Sequence, residues 1–208
     1  MLWEVSENNL RAVATDGHRM ARCDVACEVS PDTTVSAIIP RKGVVELSRL
    51  LSDDQIDMSL GSNHIRVKSE DFCFTSKLVD GAYPDYDRVM PKEGEKIVRG
   101  DRDELKQAFS RAAILSNEKF RGVRVLLSSG SIKMIANNPE QEEAEEEMSV
   151  DYSGDDLEIG FNVSYLLDVL NVLPGNDVRL SLSDANSSAL VEDTSNDNAV
   201  YVVMPMRL

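Results

Sequence analysis

Apolar side chains along this chain follow two rhythms, one of period two and one of helical spacing. Val44, Leu47, Leu50 and Leu51 fall at helical spacing and predict a helix over Pro40–Leu51, with proline tolerated in the first turn. Leu105, Ala108, Phe109, Ala112 and Leu115 do the same and predict a second helix, capped by Asp101 or Asp103 and running to Leu115. A third apolar run predicts a helix over Val163–Leu173. Between these lie short runs bounded by turn residues, which predict strands. In the first half these are a hairpin, Leu10–Ala14 and Arg19–Cys23 around a Thr-Asp-Gly-His turn, then Val35–Ile39, Ile56–Leu60, His64–Lys68 and Phe72–Leu78. In the second half they are Gly122–Ser128, Ser131–Ala136, Glu145–Tyr152, Leu157–Phe161, Val178–Leu182, Ser187–Glu192 and Val200–Met204. Gly81–Gly100, with Pro84, Pro91, Gly94 and Gly100, reads as a linker.

The pattern repeats. Pro40–Leu51 aligns with Asn162–Leu173 at an offset of 162 − 40 = 122 residues. The same offset, without a gap, pairs Ile56–Leu60 with Val178–Leu182 and Leu10–Asp16 with Ile132–Asn138. A fixed period means one structural unit used more than once. The expected fold class is therefore α+β, in repeated units of two helices packed on antiparallel sheet. The expected domains are 1–90 and 91–208. The counterpart of the amphipathic segment Arg102–Leu115 would fall before residue 1, so the first unit should be incomplete and should expose apolar surface.

Charge changes the picture next. The net charge is −15. Residues 140–208 hold 16 acidic and two basic residues, or −14, and residues 1–139 hold 21 and 20, or −1. Phosphate affinity scales with the phosphates neutralised, so such a chain should grip nucleic acid weakly. Enclosure of DNA would not need that grip. No window approaches the roughly 18 apolar residues of a membrane span, and the first residues (MLWEVSENNL) lack the features of a signal peptide. Three cysteines, Cys23, Cys27 and Cys73, at no scaffold spacing fit a reducing, cytoplasmic setting.

Candidate chemistry is sparse. Asp16 and His18 could suggest acid–base work, but a turn role for Asp-Gly explains them better. Cys23 and Cys27 would be half a metal site with no second half. The carboxylates of Glu140–Glu147 read as a solvated acidic stretch rather than a magnesium site. No glycine loop of phosphate-binding type is present. The expectation is a non-enzymatic protein with no metal and no cofactor.

Longer motifs are more specific. Val13–Ala21 (VATDGHRMA), Pro40–Leu47 (PRKGVVEL), Phe74–Pro91 (FTSKLVDGAYPDYDRVMP) and Ala112–Arg124 (AAILSNEKFRGVR) resemble the bacterial DNA polymerase III β subunit family, the sliding clamps. So do Ala136–Glu146 (ANNPEQEEAEE), Glu158–Asn171 (EIGFNVSYLLDVLN) and Tyr201–Leu208 (YVVMPMRL). The resemblance covers essentially the whole chain, in order. It implies the DNA-clamp fold and a processivity factor that tethers the replicative polymerase. In that family three copies of the unit make a chain, and two chains close head to tail into a ring around duplex DNA. This sequence resembles the last two thirds of such a chain. A stand-alone truncated clamp, binding partners without encircling DNA, is the alternative.

The resemblance also implies sites. Partners of the family carry a short peptide, led by Gln and ended by Leu and Phe, that docks in an apolar pocket between the second and third domains. Here its wall would include Thr15, Gly17, His18, Arg19 and Met20. Pro84, Arg88 and Val89 would come from the linker. Asn186 and Ser188, then Val202, Val203, Met204, Pro205, Met206 and Arg207, would supply the rest. Flexible, polarisable methionine suits a surface that serves several partners. The implied partners are the polymerase III alpha subunit, clamp-loader subunits, other polymerases and repair proteins, with double-stranded DNA encircled without regard to sequence. Arg41, Lys42, Arg49, Lys106 and Arg111 would face the DNA. Ile114 and Leu115 would lie at the ring interface of the family's homodimer.

Overall fold

The computed structural model describes residues 1–29, 34–52, 56–91 and 94–207. The chain folds as two compact units: residues 1–15 with 22–86, and residues 16–21 with 87–208.

In the first unit, β1 (Leu2–Ser6) pairs antiparallel with β2 (Asn9–Thr15) and β4 (Val35–Ile38), and β3 (Arg19–Ala26), which belongs to this unit from residue 22 on, completes an array ordered β4-β1-β2-β3. Then come α1 (Arg41–Leu50) and the three-stranded sheet β5 (Asp57–Leu60), β6 (His64–Lys68) and β7 (Cys73–Lys77). α1 buries Gly43 and Leu47, and a core of Ile39, Leu47, Ile65 and Val67 forms beneath it.

The main run of the second unit begins within a short 3₁₀ turn (Tyr86–Arg88). Its elements are β8 (Lys96–Asp101), α2 (Arg102–Ile114), β9 (Gly122–Ser128), β10 (Ser131–Asn137), β11 (Glu143–Ser149), β12 (Leu157–Asn162), α3 (Val163–Val172), β13 (Asp177–Leu182), β14 (Ala189–Asp193) and β15 (Asn196–Val203). One sheet runs β11-β10-β9-β12, and β15-β14-β13-β8 form the other array. The Asp101 carboxylate caps α2 by accepting from the Asp103 and Glu104 amides at 2.9 Å. Asp103 and Glu104 in the first turn and Arg111 in the last suit the helix dipole. Asn162 caps α3 by accepting from the Ser164 amide at 2.9 Å, and the Arg102 guanidinium donates to the Leu173 carbonyl at the other end at 2.7 Å.

The repeat is visible in three dimensions. The order β4-β1-β2-β3 matches β12-β9-β10-β11, and β5-β6-β7 matches β13-β14-β15. Two strands escape the sequence patterns. β1 is one. The other is β8, inside the stretch read as linker, which pairs antiparallel with β13 from Asp177↔Asp101 to Leu182↔Lys96. The linker reading is corrected there, apart from residues 92–93, which lie outside the described residues.

Among the described residues the first unit has no counterpart of β8 and α2. The consequence shows at equivalent positions. α2 places Leu105, Ala108, Phe109 and Ala112 in the second core, and Val125, Leu127, Ile132 and Met134 are buried with them. Their counterparts 122 residues earlier, Trp3, Val5, Leu10 and Ala12, are all only half-buried. These four side chains are partly uncovered, whereas their counterparts in the second unit are buried with α2. The Trp3 indole nitrogen is buried with no hydrogen-bond partner among the described residues.

Candidate partner-binding surface

The turn between β2 and β3 is built by Asp16. Its carboxylate accepts from the backbone amides of His18 and Arg19, both at 3.0 Å. Gly17 takes φ +87°, the left-handed region that an L side chain resists. Burial pushes the Asp16 carboxyl up, but those two amides and the Arg19 guanidinium together hold it below its ordinary value. The turn role expected for Asp16 is what the geometry displays.

Residues 16–21 belong to the second unit, and two of its elements hold them. The first is the tail beyond β15. There the Met204 amide donates to the His18 carbonyl at 2.9 Å, and the Met206 amide donates to the Gly160 carbonyl at 2.9 Å. The second is α3. The His18 ring stacks on Tyr165 with centroids 6.4 Å apart, and the Arg19 guanidinium lies 4.4 Å from the centre of the same ring. Arg19 also forms ion pairs with Asp16, at 3.1 Å, and with Asp168 of α3.

Turn and tail thus meet. Gly17 and His18 are exposed, and Met204, Pro205 and Met206 are half-buried, so these methionines and the proline offer apolar surface beside a polar turn. The other expected residues divide by depth. Met20, Val202 and Val203 are 5%, 2% and 0% exposed, and Val203 lies in the unit's core. Those three support the surface from below. Arg88, Val89, Asn186 and Arg207 are exposed, and Ser188 is half-buried. Asn186 sits in a turn whose amides at 186 and 187 donate to Asp184 at 2.7 and 2.9 Å. Thr15 and Pro84 are exposed and belong to the first unit. Sequence reasoning missed Tyr165 and Asp168. Their signal was spacing, since both lie off the Val163, Leu166, Val169 and Leu170 face that α3 buries.

The expected DNA-facing cations have different fates. Arg41, Lys42 and Arg49 are exposed on α1, with Arg49 reaching Glu46 at 3.3 Å. Lys106 is half-buried. Arg111 is held by Glu146 through two bonds of 2.8 and 2.9 Å. The acidic stretch is mostly strand: Glu145 of β11 pairs with Lys133 of β10 at 2.5 Å, and Glu147 accepts from the Ser131 hydroxyl at 2.7 Å. Ile114 is 76% exposed at the end of α2, and Leu115 after it is half-buried. Among the described residues no three or more His, Cys, Asp or Glu side chains gather as metal ligands would. No helix there is long and apolar enough to cross a membrane.

Comparison with known proteins decides the family. The central-domain profile of the DNA polymerase III beta subunit matches residues 1–85, and its C-terminal-domain profile matches residues 87–207. The chain belongs to the DNA polymerase III beta subunit family. Among its relatives, the beta sliding clamp of Pseudomonas putida is 60% identical and that of Escherichia coli K12 is 56% identical. Each match covers 100% of this chain and 57% of the relative. A crystal structure of the Pseudomonas aeruginosa DNA polymerase sliding clamp with ligand superposes at TM-score 0.97, with 58% identity, over 100% of this chain and 57% of that one. The C. crescentus beta sliding clamp superposes at 0.94 with 37% identity over the same shares. The fold is the sliding-clamp fold, and the chain spans 57% of the length of the relatives it matches.

Proposed function

We propose that this chain supplies the central and C-terminal domains of a DNA sliding clamp, a non-catalytic processivity factor of the replicative polymerase acting in the cytoplasm. Its own contribution is recruitment of partner peptides. The observation that carries this reading is the Met204–His18 backbone bond, which sets the Met-Pro-Met tail beside the Asp16–Met20 turn. An extended peptide with two apolar anchors suits such a groove. Tyr165, His18 and Arg19 add polar and aromatic surface that can fix its register.

The peptide-binding residues, all assigned by resemblance, are Thr15, Gly17–Met20, Pro84, Arg88, Val89, Asn186, Ser188 and Val202–Arg207. The partners are the polymerase III alpha subunit, clamp-loader subunits, and other polymerases and repair proteins. Duplex DNA is encircled in the homodimeric ring of the full-length architecture, with Arg41, Lys42, Arg49, Lys106 and Arg111 facing it and Ile114 and Leu115 at the ring interface.

A Gln-led, Leu-Phe-ended peptide titrated into the protein should bind with Kd on the order of micromolar, roughly −8 kcal/mol. Met206→Ala should weaken it. Absence of binding, or indifference to that substitution, sinks the assignment.

A further inference from the structure

The two copies of the unit keep register over most of their length, so positions where they diverge in kind are informative. The helix position that is Gly43 in the first copy is Tyr165 in the second, at the 122-residue offset. Gly43 is there for close packing, since a Cβ would lie 2.8 Å from the Ser76 hydroxyl on β7. Tyr165 does the opposite: half-buried against the core, it carries the His18 ring and the Arg19 guanidinium on its other side.

One helical turn along α3 from Tyr165, on the same side, lies Asp168. Its carboxylate is the second anion on Arg19, after Asp16 of the turn itself. The turn projects into solvent. Asp16, Gly17 and His18 are exposed, and nothing lies within 4 Å of where a Gly17 Cβ would be. The Asp16 bonds to the His18 and Arg19 amides are internal to the turn and shape it without fixing its place. Beyond its own hairpin, the contacts that hold it include Met204, through the His18 carbonyl, and α3, through Tyr165 and Asp168.

We infer that Asp168 is a positioning residue for the partner-peptide surface, holding Arg19 and through it the Asp16–Met20 turn against α3. The inference rests on the peptide-recruitment reading for its functional consequence. Arginine suits the task because a planar guanidinium can meet a carboxylate with its edge while its face lies on an aromatic ring; a lysine ammonium cannot do both. A turn ordered before the peptide arrives spares the peptide the cost of ordering it, which for one or two side chains corresponds to roughly three- to tenfold in affinity.

The test uses Asp168→Asn, Asp168→Glu, Arg19→Gln and the Asp168→Asn/Arg19→Gln pair. Two readouts are needed: titration with the Gln-led, Leu-Phe-ended peptide, and amide hydrogen exchange at Met204, whose amide is bonded to the His18 carbonyl, in the free protein. Asp168→Asn should weaken the peptide by roughly three- to tenfold, speed exchange at the Met204 amide, and leave the unfolding midpoint unchanged. Asp168→Glu should restore much of both. The double variant should be no worse than Arg19→Gln alone, because Asp168 acts through Arg19. Unchanged exchange in Asp168→Asn, or losses that simply add in the double variant, overturns the inference. A wild-type protein that binds no peptide overturns the recruitment reading instead, while exchange at Met204 still decides whether Asp168 holds the turn.

Discussion

Arg111 on α2 and Glu146 on β11 face each other through two near-parallel bonds, Nε to Oε1 at 2.8 Å and an Nη to Oε2 at 2.9 Å. That fork-to-fork geometry is the strongest way a guanidinium and a carboxylate meet. It also occupies the cation that resemblance assigns to DNA. Both side chains are solvent-accessible, so the pair can open, and phosphate must compete with Glu146 for Arg111. Glu146→Gln should therefore raise low-salt affinity for a short DNA duplex and steepen the log–log salt dependence by about 0.9, the increment for one added phosphate contact. Gel-shift or anisotropy titrations across salt concentrations measure both. An unchanged slope removes Arg111 from the DNA-facing set.

Gly17 sits at φ +87° in open space, so the obstacle to a side chain there is backbone conformation and not crowding. Gly17→Ala should cost about 1–2 kcal/mol in urea unfolding of the second unit. Gly17→Asn should cost less, because asparagine tolerates the left-handed region. Peptide affinity should fall in the same order, since the strained turn carries His18 and Arg19.

Asp193 is buried at the end of β14, where it accepts from the Ser195 hydroxyl at 2.6 Å and from the amides of Ser195 and Gly175 at 2.7 and 2.5 Å. The Ser195 hydroxyl leads in lowering its pKa, and burial opposes without prevailing. A carboxyl with a depressed folded pKa stabilises above its unfolded value, near 3.9, and that stability is lost as pH falls through the folded pKa. The second unit should thus lose stability below about pH 4. Ser195→Ala should cost about 1 kcal/mol at neutral pH and flatten the acid limb of stability against pH. Circular dichroism melts from pH 2.5 to 7, a range spanning the carboxyl values, follow both effects.

The two units should also differ in stability. Trp3, the single tryptophan, is half-buried in the first unit, on an array whose equivalent in the second is covered by α2. Less buried apolar area means a smaller driving force. On heating, the Trp3 emission shift should precede loss of far-ultraviolet ellipticity, which is weighted towards the second unit's two helices. Phe109→Ala, which opens a cavity in the second core, should cost about 3–5 kcal/mol and bring the two transitions together. Coincident transitions in the wild type would contradict the unequal cores.

Much of this was legible along the chain. Among the described residues, helical spacing located α1 and α2 to within a residue or two, because one buried face dictates apolar positions every three or four residues, and an apolar run located α3 as closely. The 122-residue offset announced a repeated unit, and both arrays follow it. β1 and β8 were not legible. β8 is punctuated by Gly100 and preceded by Pro91 and Gly94, and its partner β13 lies some eighty residues further along; hydrogen bonds over that separation leave no local pattern. The motif residues of the candidate site were legible through resemblance, yet their depth was not. Val202 and Val203 differ from Met204 and Met206 only in whether the chain is still in β15 or has left it.

By itself, then, the sequence determined the periodicities, the repeat, the turn chemistry of Asp16-Gly17 and the family. Those are local or additive properties, set by backbone preference and by which faces must leave water. Tertiary structure alone decided which charges are neutralised and which turn rests on which helix. Arg19 meets Asp168 across 149 residues and Arg111 meets Glu146 across 35. Such pairs depend on where separate elements come to lie, and a charged side chain reads the same in sequence whether it meets solvent, phosphate or a carboxylate.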